Sequence, residues 1–424
     1  MSKTESYDAV IIGGGPAGST AASILAKRGW RILVLEKDRF PRYHIGESLM
    51  PYCYFTLERL GLIEKIGASN FTRKHSVQFV RMDGQVSQPF YFSQHFDHPA
   101  STTWQVCRSE FDQILLNNAR KQGAEVREQT RVKRTLIENG KVVGVQALDP
   151  DGQLLEFRTH MTIDASGRNS LTMIQRRWRV REDRMLNKIS VWTYYKGALR
   201  DPGQAEGATT VAYLPQKGWF WYIPLARDIV SVGIVADKDY LLKDTRDPVE
   251  IFQREVKKNT WIKEHLSCGE CCETFRMTGE YSYRSKYCAA NGLILVGDAL
   301  AFLDPIFSSG VFLALKSGEL AAEAVDKALN EKDFSAQQFS HYSQEVFQGL
   351  EAMRKLVYAF YDHAFSFREF LESYPECRGD LTDCLIGNLF KNFGSLYEAL
   401  AKFARLPEPV ADGKPCFMIN ESNK

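Results

Sequence analysis

The residues of this sequence best suited to ligand chemistry begin thirteen positions in. Gly13-Gly14-Gly15-Pro16-Ala17-Gly18 follows a short apolar strand, Asp8 to Ile12, and opens a helical pattern through Ala21, Ile24 and Leu25 to Arg28. A second strand, Arg31 to Leu35, ends on Glu36. Gly13 permits a tight turn, Gly15 lets backbone N–H groups reach a pyrophosphate, and Gly18 lets helix pack close on strand. The helix start favours phosphate charge, and Glu36 is placed to bond a ribose hydroxyl. This pattern reads as a dinucleotide site, with NAD and FAD both open. A second anion-suited stretch is Asp304-Pro305-Ile306-Phe307-Ser308-Ser309-Gly310-Val311, which leads into an Ala- and Leu-rich helix, Phe312 to Leu329. Ser309-Gly310 offers N–H groups at a helix N-terminus to an anion or a ring edge. The third stretch is Trp219-Phe220-Trp221-Tyr222-Ile223-Pro224. Read as a strand, it puts Trp219, Trp221 and Ile223 on one face and Phe220 and Tyr222 on the other. Two tryptophans on one face make a rigid apolar wall.

The elements that must position these residues belong to an ordinary globular chain. Its 424 residues suffice for one large or several smaller domains, and 44% hydrophobic with 25% charged residues gives no sign of disorder. A net charge of +2 provides no global attraction for nucleic acid or a membrane surface. Nine cysteines in so long a chain make no disulfide framework, and Cys268-Gly-Glu-Cys271-Cys272 lacks a second pair at zinc-like spacing. They read as reduced thiols. The polar start, Met1 to Tyr7, has no signal-peptide core, which predicts a cytoplasmic protein. The most membrane-like run, Leu293 to Leu315, contains Asp298, Asp304 and Pro305, so it is expected to be a buried strand, loop and helix and no membrane span is expected.

Further along, Cys107 to Asp112 opens an amphipathic helix with Arg108 at its start. Met161 to Arg168 is a strand ending in a glycine turn, and Leu293 to Ala299 is a buried strand carrying Asp298 at its end. Val77 to Met82 and Val86 to Phe92, joined by Asp83-Gly84, read as a hairpin. Ile189 to Tyr195, Thr209 to Leu214, Trp219 to Leu225 and Ile229 to Ala236 read as further strands. From Phe339 the pattern turns helical, and after Leu406 an extended or disordered tail is expected.

The glycine loop, Arg108 and the Gly297-Asp298 pair together resemble the class A flavoprotein monooxygenase group, which implies FAD. Within that group, Trp219 to Pro224 matches the W-x-W-x-I-P signature of the flavin-dependent halogenases. His44-Ile45-Gly46-Glu47-Ser48-Leu49-Met50-Pro51 resembles their G-E-S/A-x-x-P segment, and Asp304 to Val311 resembles the phenol and pyrrole branch. Lys74 falls where that family places its catalytic lysine, although Ser76-Val77 stands in place of the usual Gly-Ala. The resemblance implies an α/β fold: a Rossmann-like FAD-binding module (5–75, 105–185 and 275–335) with an interleaved β-rich substrate layer (76–104 and 186–274). A helical region (336–405) and an extended tail (406–424) would follow. It implies cofactor contacts from Gly13, Gly15, Ala17, Gly18, Glu36, Lys37, Ser48, Arg108, Asp298, Pro305, Gly310 and Val311, with Asp298 on the ribityl chain. Chloride or bromide would be held by the N–H groups of Ser309 and Gly310.

The implied activity is oxidation of halide to hypohalous acid, using oxygen and reduced FAD from a separate flavin reductase. Lys74 would then hold the oxidant, as a hydrogen-bonded acid or a haloamine, for electrophilic attack on an aromatic ring. Trp219 and Trp221 would partition that ring from the flavin. Glu47, and less well Glu110, are candidates for the general base. The implied substrate is a phenol or pyrrole, free or tethered to an acyl or peptidyl carrier protein. An aromatic hydroxylase on the same framework would need substrate at the flavin and has no use for Lys74. A geranylgeranyl-reductase-like enzyme would need a long apolar tunnel, and a non-enzyme would keep FAD as a relic.

Overall fold

A computed structural model describes residues 5–182, 184–279, 282–410 and 413–417. The parallel core forms where the sequence has short runs apolar on both faces. Leu293–Leu295, Leu154–Asp164, Glu5–Ile12, Ile32–Leu35 and Glu125–Arg127 lie side by side in that order, each pair parallel. The helices Pro16–Lys27 and Gly310–Glu331 pack together against this sheet, and Arg108–Lys121 packs on the first of them. Arg131–Glu138 and Lys141–Leu148 hang from its edge as an antiparallel hairpin. The fold is therefore α/β with a Rossmann-like core, as the resemblance implied.

A second sheet lies across the first. Its central order is Lys188–Lys196, Ile229–Asp237, Trp219–Pro224, Thr209–Tyr213 and Ser76–Val80. Alternation along Trp219–Pro224 sorts its side chains as expected: Trp219, Trp221 and Ile223 join the main core, while Phe220 and Tyr222 join the core on the far face with Phe252 and Trp261. The expected hairpin is shorter than the sequence suggested. Ser76–Val80 pairs only with Phe90–Tyr91, plus a single bridge from Val80 to Val86, and its long partner is Thr209–Tyr213, in parallel. A parallel partner far along the chain leaves no local signal, so the register was not legible.

The C-terminal helices are Ser340–Tyr361, Phe367–Ser373, Arg378–Ile386 and Gly394–Leu400. The tail departs from expectation in one stretch. Cys416 donates its N–H to Ala289 O at 2.7 Å and Gly413 donates to Lys286 O at 2.7 Å, so 413–417 is docked on the sheet edge. Residues 411–412 and 418–424 lie outside the described residues. Among the described residues no helix is long and apolar enough to cross a membrane.

Candidate active site

The glycine loop is built as its chemistry requires. Gly13 sits at φ +103°, and a Cβ there would lie 2.4 Å from Ala165 O. A Cβ on Gly18 would lie 2.0 Å from Gly13 O, which explains the need for a bare backbone where helix meets strand. Gly15 caps the helix without any side-chain hydrogen bond, leaving the first-turn N–H groups open. The Glu36 carboxylate accepts from Gly14 N–H at 2.7 Å and from Asp38 N–H at 2.9 Å. It therefore ties the loop to the second strand, and each oxygen keeps a lone pair for a ribose hydroxyl.

From this loop a cavity of about 670 Å³ runs to the start of the helix Gly310–Glu331. Gly13, Gly15, Ala17, Glu36, Lys37, Glu47, Ser48, Arg108, Asp298, Pro305, Gly310 and Val311 all line it, together with Trp219, Trp221 and Ile223. An elongated cleft with open helix N–H groups at one end and apolar rings at the other fits a flavin dinucleotide. Gly18 stands behind it as a packing residue. Lys74 and Ser309 do not line it. Ser309 is buried, and its neighbour Ser308, in the left-handed region at φ +57°, takes the cavity position. The sequence offers no means of telling two adjacent serines apart. Glu110 is also elsewhere: it pairs with Arg227 at the surface, 2.6 Å away. That removes it as a candidate base.

Arg108 has a different emphasis from the one expected. Its Nε and Nη2 grip Asp112 at 2.8 and 2.9 Å, and Nη1 donates to Ile45 O at 2.8 Å and Gly46 O at 3.2 Å. Asp112, held below its usual pKa by Arg108 despite complete burial, also pairs with Arg42 at 3.1 Å. Arg108 is thus chiefly the clamp that shapes the Ile45-Gly46-Glu47 segment. Burial and the Arg108 charge push His44 down to about 3, so it is neutral, with Nδ1 donating to Ile45 O. Arg42, which the sequence left open between solvent and a cofactor phosphate, lines the cavity, as do His44, Arg168 and Thr209, which were not singled out for it; Thr209 had no signal at all beyond strand alternation.

Lys74 lies directly behind the cavity wall. It ends the strand Thr72–Lys74, which pairs antiparallel with Thr103–Gln105, and Ser76 starts a new strand, Ser76–Val80. Its side chain is 2% exposed. Nζ donates to Ser48 Oγ at 2.8 Å and Leu49 O at 3.2 Å, and sits 5.5 Å from the centre of the Phe92 ring. Ser48 Oγ in turn shares a 2.7 Å hydrogen bond with Thr209 Oγ1. Burial lowers the amine to about 7, so a large neutral fraction is present near neutrality. A neutral amine has a lone pair with which to receive an electrophile.

The wall itself is fixed by polar pins. Trp219 Nε1 donates to Tyr361 OH at 2.8 Å, and Tyr361 OH donates to Asp304 Oδ2 at 3.0 Å. Trp221 Nε1 donates to Ser231 Oγ at 3.1 Å. Burial raises Asp304 and Asp298 to about 6 each. On the cavity side, Glu47 is pushed up to about 7 by burial, and Tyr194 OH donates to its Oε1 at 2.8 Å.

Fold and cavity define a flavoprotein of the class that binds FAD at a Rossmann-like glycine loop beneath a second β-sheet. The chain belongs to the tryptophan halogenase family, whose profile matches residues 8–104 and 83–366. It is 32% identical to a 1H-pyrrole-2-carbonyl-[peptidyl-carrier protein] chlorinase of Pseudomonas fluorescens, over 94% of this chain and 93% of that one. It is 35% identical to the corresponding brominase of Pseudoalteromonas luteoviolacea, over 79% of this chain and 80% of that one. Among solved structures it resembles the flavin-dependent brominase Bmp2, with a TM-score of 0.83, 31% identity, and coverage of 94% of this chain and 97% of that one. The myxobacterial chondrochloren halogenase CndH is also similar, with a TM-score of 0.80, 30% identity, and coverage of 94% and 96%. The protein is a flavin-dependent halogenase that uses FAD and a halide, and the hydroxylase and reductase alternatives fall away.

Reduced FAD, held by these residues, would activate oxygen, the oxidant that turns halide into an electrophile. The chain's own residues divide the remaining work by position. The glycine loop and helix starts offer N–H groups, Trp219 and Trp221 line the cavity, and the Lys74 amine is hydrogen-bonded to Ser48 of that lining.

Proposed function

We propose that this halogenase acts on a pyrrole carried by a peptidyl carrier protein, with Lys74 as the residue that holds the electrophile. The observation that carries the reading is the buried Lys74 amine, joined to the cavity wall through Ser48 and Thr209. Hypohalous acid formed in the cavity has a short polar route to that amine, whereas an aromatic ring in the cavity faces Trp219 and Trp221. The N–H groups near Ser308, Ser309 and Gly310, at the helix start, are the halide donors in this reading. Two relatives whose names specify a carrier-bound pyrrole, at 32% and 35% identity, support the substrate class. The sequence holds a single G-x-G-x-x-G, which supports a separate reductase as the source of reduced flavin. The FAD-binding segments, the interleaved β layer and the C-terminal helices are three parts of one machine in this reading. Buried thiols at Cys53, Cys288 and Cys384 suit a reducing cytoplasm.

The test supplies FAD, a flavin reductase, NADH, oxygen and either chloride or bromide, and offers pyrrole-2-carbonyl carrier protein beside free pyrroles and phenols. The expected result is replacement of hydrogen by halogen on the tethered pyrrole, seen by intact-protein mass spectrometry, with free rings poor substrates. Halogenation confined to free phenols would overturn the substrate reading.

A further inference from the structure

Glu47 is the end point of a chain of hydrogen bonds whose direction is set by chemistry. Trp192 Nε1, which can only donate, gives its proton to Tyr43 OH at 2.7 Å. Tyr43 OH and Tyr194 OH are 3.0 Å apart, and Tyr194 OH donates to Glu47 Oε1 at 2.8 Å. Because the Tyr43 oxygen already accepts from the indole, its own hydrogen is free to point to Tyr194. Every hydroxyl in the chain then points toward the carboxyl. Tyr43 is 47% exposed and Glu47 is 4% exposed, and both line the cofactor cavity. The chain therefore runs from an exposed residue of the cavity to a carboxyl buried in its wall.

The carboxyl is used on one side only. Oε1 takes the Tyr194 bond, whereas the buried Oε2 has no hydrogen-bond partner among the described residues, although the Ser231 hydroxyl faces the carboxylate. The charged groups acting on it are Arg108 from the helix Arg108–Lys121 and Arg276 from the strand Arg276–Gly279. The Arg276 guanidinium lies 4.2 Å from the Tyr43 ring centre and 6.0 Å from that of Tyr194. Burial favours the acid, and the Ser231 and Tyr194 hydroxyls with these two cations favour the carboxylate, a balance that leaves both forms accessible near neutrality.

The reaction has a use for such a group. Replacing a ring hydrogen by halogen at the expense of oxygen and reduced FAD consumes one halide and one proton per turnover, and yields oxidised FAD and two water molecules. The buried, tryptophan-lined part of the cavity, with the cofactor filling the space before it, needs a defined route for that proton.

We propose that Tyr43, Tyr194 and Glu47 form a proton path from the exposed side of the cofactor cavity to the carboxyl buried in its wall, with Trp192 as the positioning residue that sets its direction. In one cycle Glu47 releases the proton on Oε2 into the cavity and takes one from Tyr194 on Oε1. Tyr194 is refilled by Tyr43, and Tyr43 by solvent. This places Glu47 as a donor on the cofactor side of the wall, a different task from deprotonating the substrate ring. It rests on the halogenase assignment and not on the role given to Lys74.

The test combines a spectroscopic titration with kinetics. Infrared difference spectra between the native protein and Glu47→Gln, recorded with and without FAD, report the carboxylic acid directly. Tyr194→Phe removes the donor that favours the carboxylate, so the titration midpoint should rise by roughly one pH unit. Tyr43→Phe does not touch Glu47, so its midpoint should stay near the native one. The same variant should slow halogenation at least about 10-fold and enlarge the solvent deuterium isotope effect, with flavin content unchanged by absorbance. An unmoved midpoint in Tyr194→Phe, or native rate and isotope effect in Tyr43→Phe, would overturn the path. Should Tyr194→Phe fail to fold, the Tyr43→Phe result decides alone.

Discussion

Replacing Lys74 by methionine should make the protein more stable at neutral pH while removing its halogenase activity. The amine is fully buried and its pKa falls from 10.5 to about 7, with desolvation as the leading cause. At about 1.4 kcal/mol per pH unit, a fall of that size is on the order of 5 kcal/mol of destabilisation when the unfolded lysine is fully protonated. Methionine fills a similar volume without charge, but it gives up the bonds to Ser48 Oγ and Leu49 O, a loss of about 1–3 kcal/mol. The net expectation at pH 7 is a gain of about 2–4 kcal/mol. The sign of the pH dependence follows from proton counting. Between about 7 and 10.5 the unfolded lysine binds more protons than the folded one, so the native protein gains stability as pH rises through that window. Lys74→Met has no such term, and its advantage should shrink steadily toward pH 10. Urea unfolding of FAD-free native and variant protein at several pH values across that range measures the difference. A variant less stable than native at pH 7, or a gap that does not change with pH, would refute the argument from desolvation.

Three further outcomes follow from the same geometry. Tyr361→Phe leaves the Trp219 N–H without its acceptor and Asp304 Oδ2 without the Tyr361 hydroxyl, so stability should fall by about 1–3 kcal/mol in urea. Its FAD affinity should hold while more hypohalous acid escapes to an added scavenger, because the wall and not the cofactor site is loosened. Gly18→Ala should abolish flavin retention on dialysis, since its methyl would fall 2.0 Å from Gly13 O; retained flavin would show that the loop yields more easily than its packing implies. Asp298 and Asp304 both titrate at about 6 instead of 3.8, so the folded FAD-free protein binds extra protons between those values. Its stability should therefore fall, not rise, as pH goes from about 4 to about 6, which urea titrations check.

Much of this arrangement was legible because its causes are local. The glycine loop with its flanking strands and Glu36 is a short-range pattern, and the alternation of Trp219, Trp221 and Ile223 follows from strand geometry alone. Lys74 became readable only through resemblance, since an isolated lysine carries no sign of its burial. What escaped depends on distant pairing. The parallel contact of Ser76–Val80 with Thr209–Tyr213 brings Thr209 to Ser48, and nothing near either residue announces it. The same holds for Tyr194, which meets Tyr43 and Glu47 from the strand Lys188–Lys196, and for Tyr361, which reaches the wall from the helix Ser340–Tyr361. Arg108 was expected to hold cofactor; it lines the cavity, while Nε and Nη2 grip Asp112 and Nη1 holds the chain that carries Glu47.

The most direct test of the account follows the oxidant in Lys74→Ala with FAD bound. Product on the aromatic substrate is measured by mass spectrometry, together with oxygen consumed and hypohalous acid trapped by a scavenger. The account predicts undiminished oxygen use and trapped oxidant, with halogenated product lost. Continued halogenation by Lys74→Ala at the native rate would contradict it.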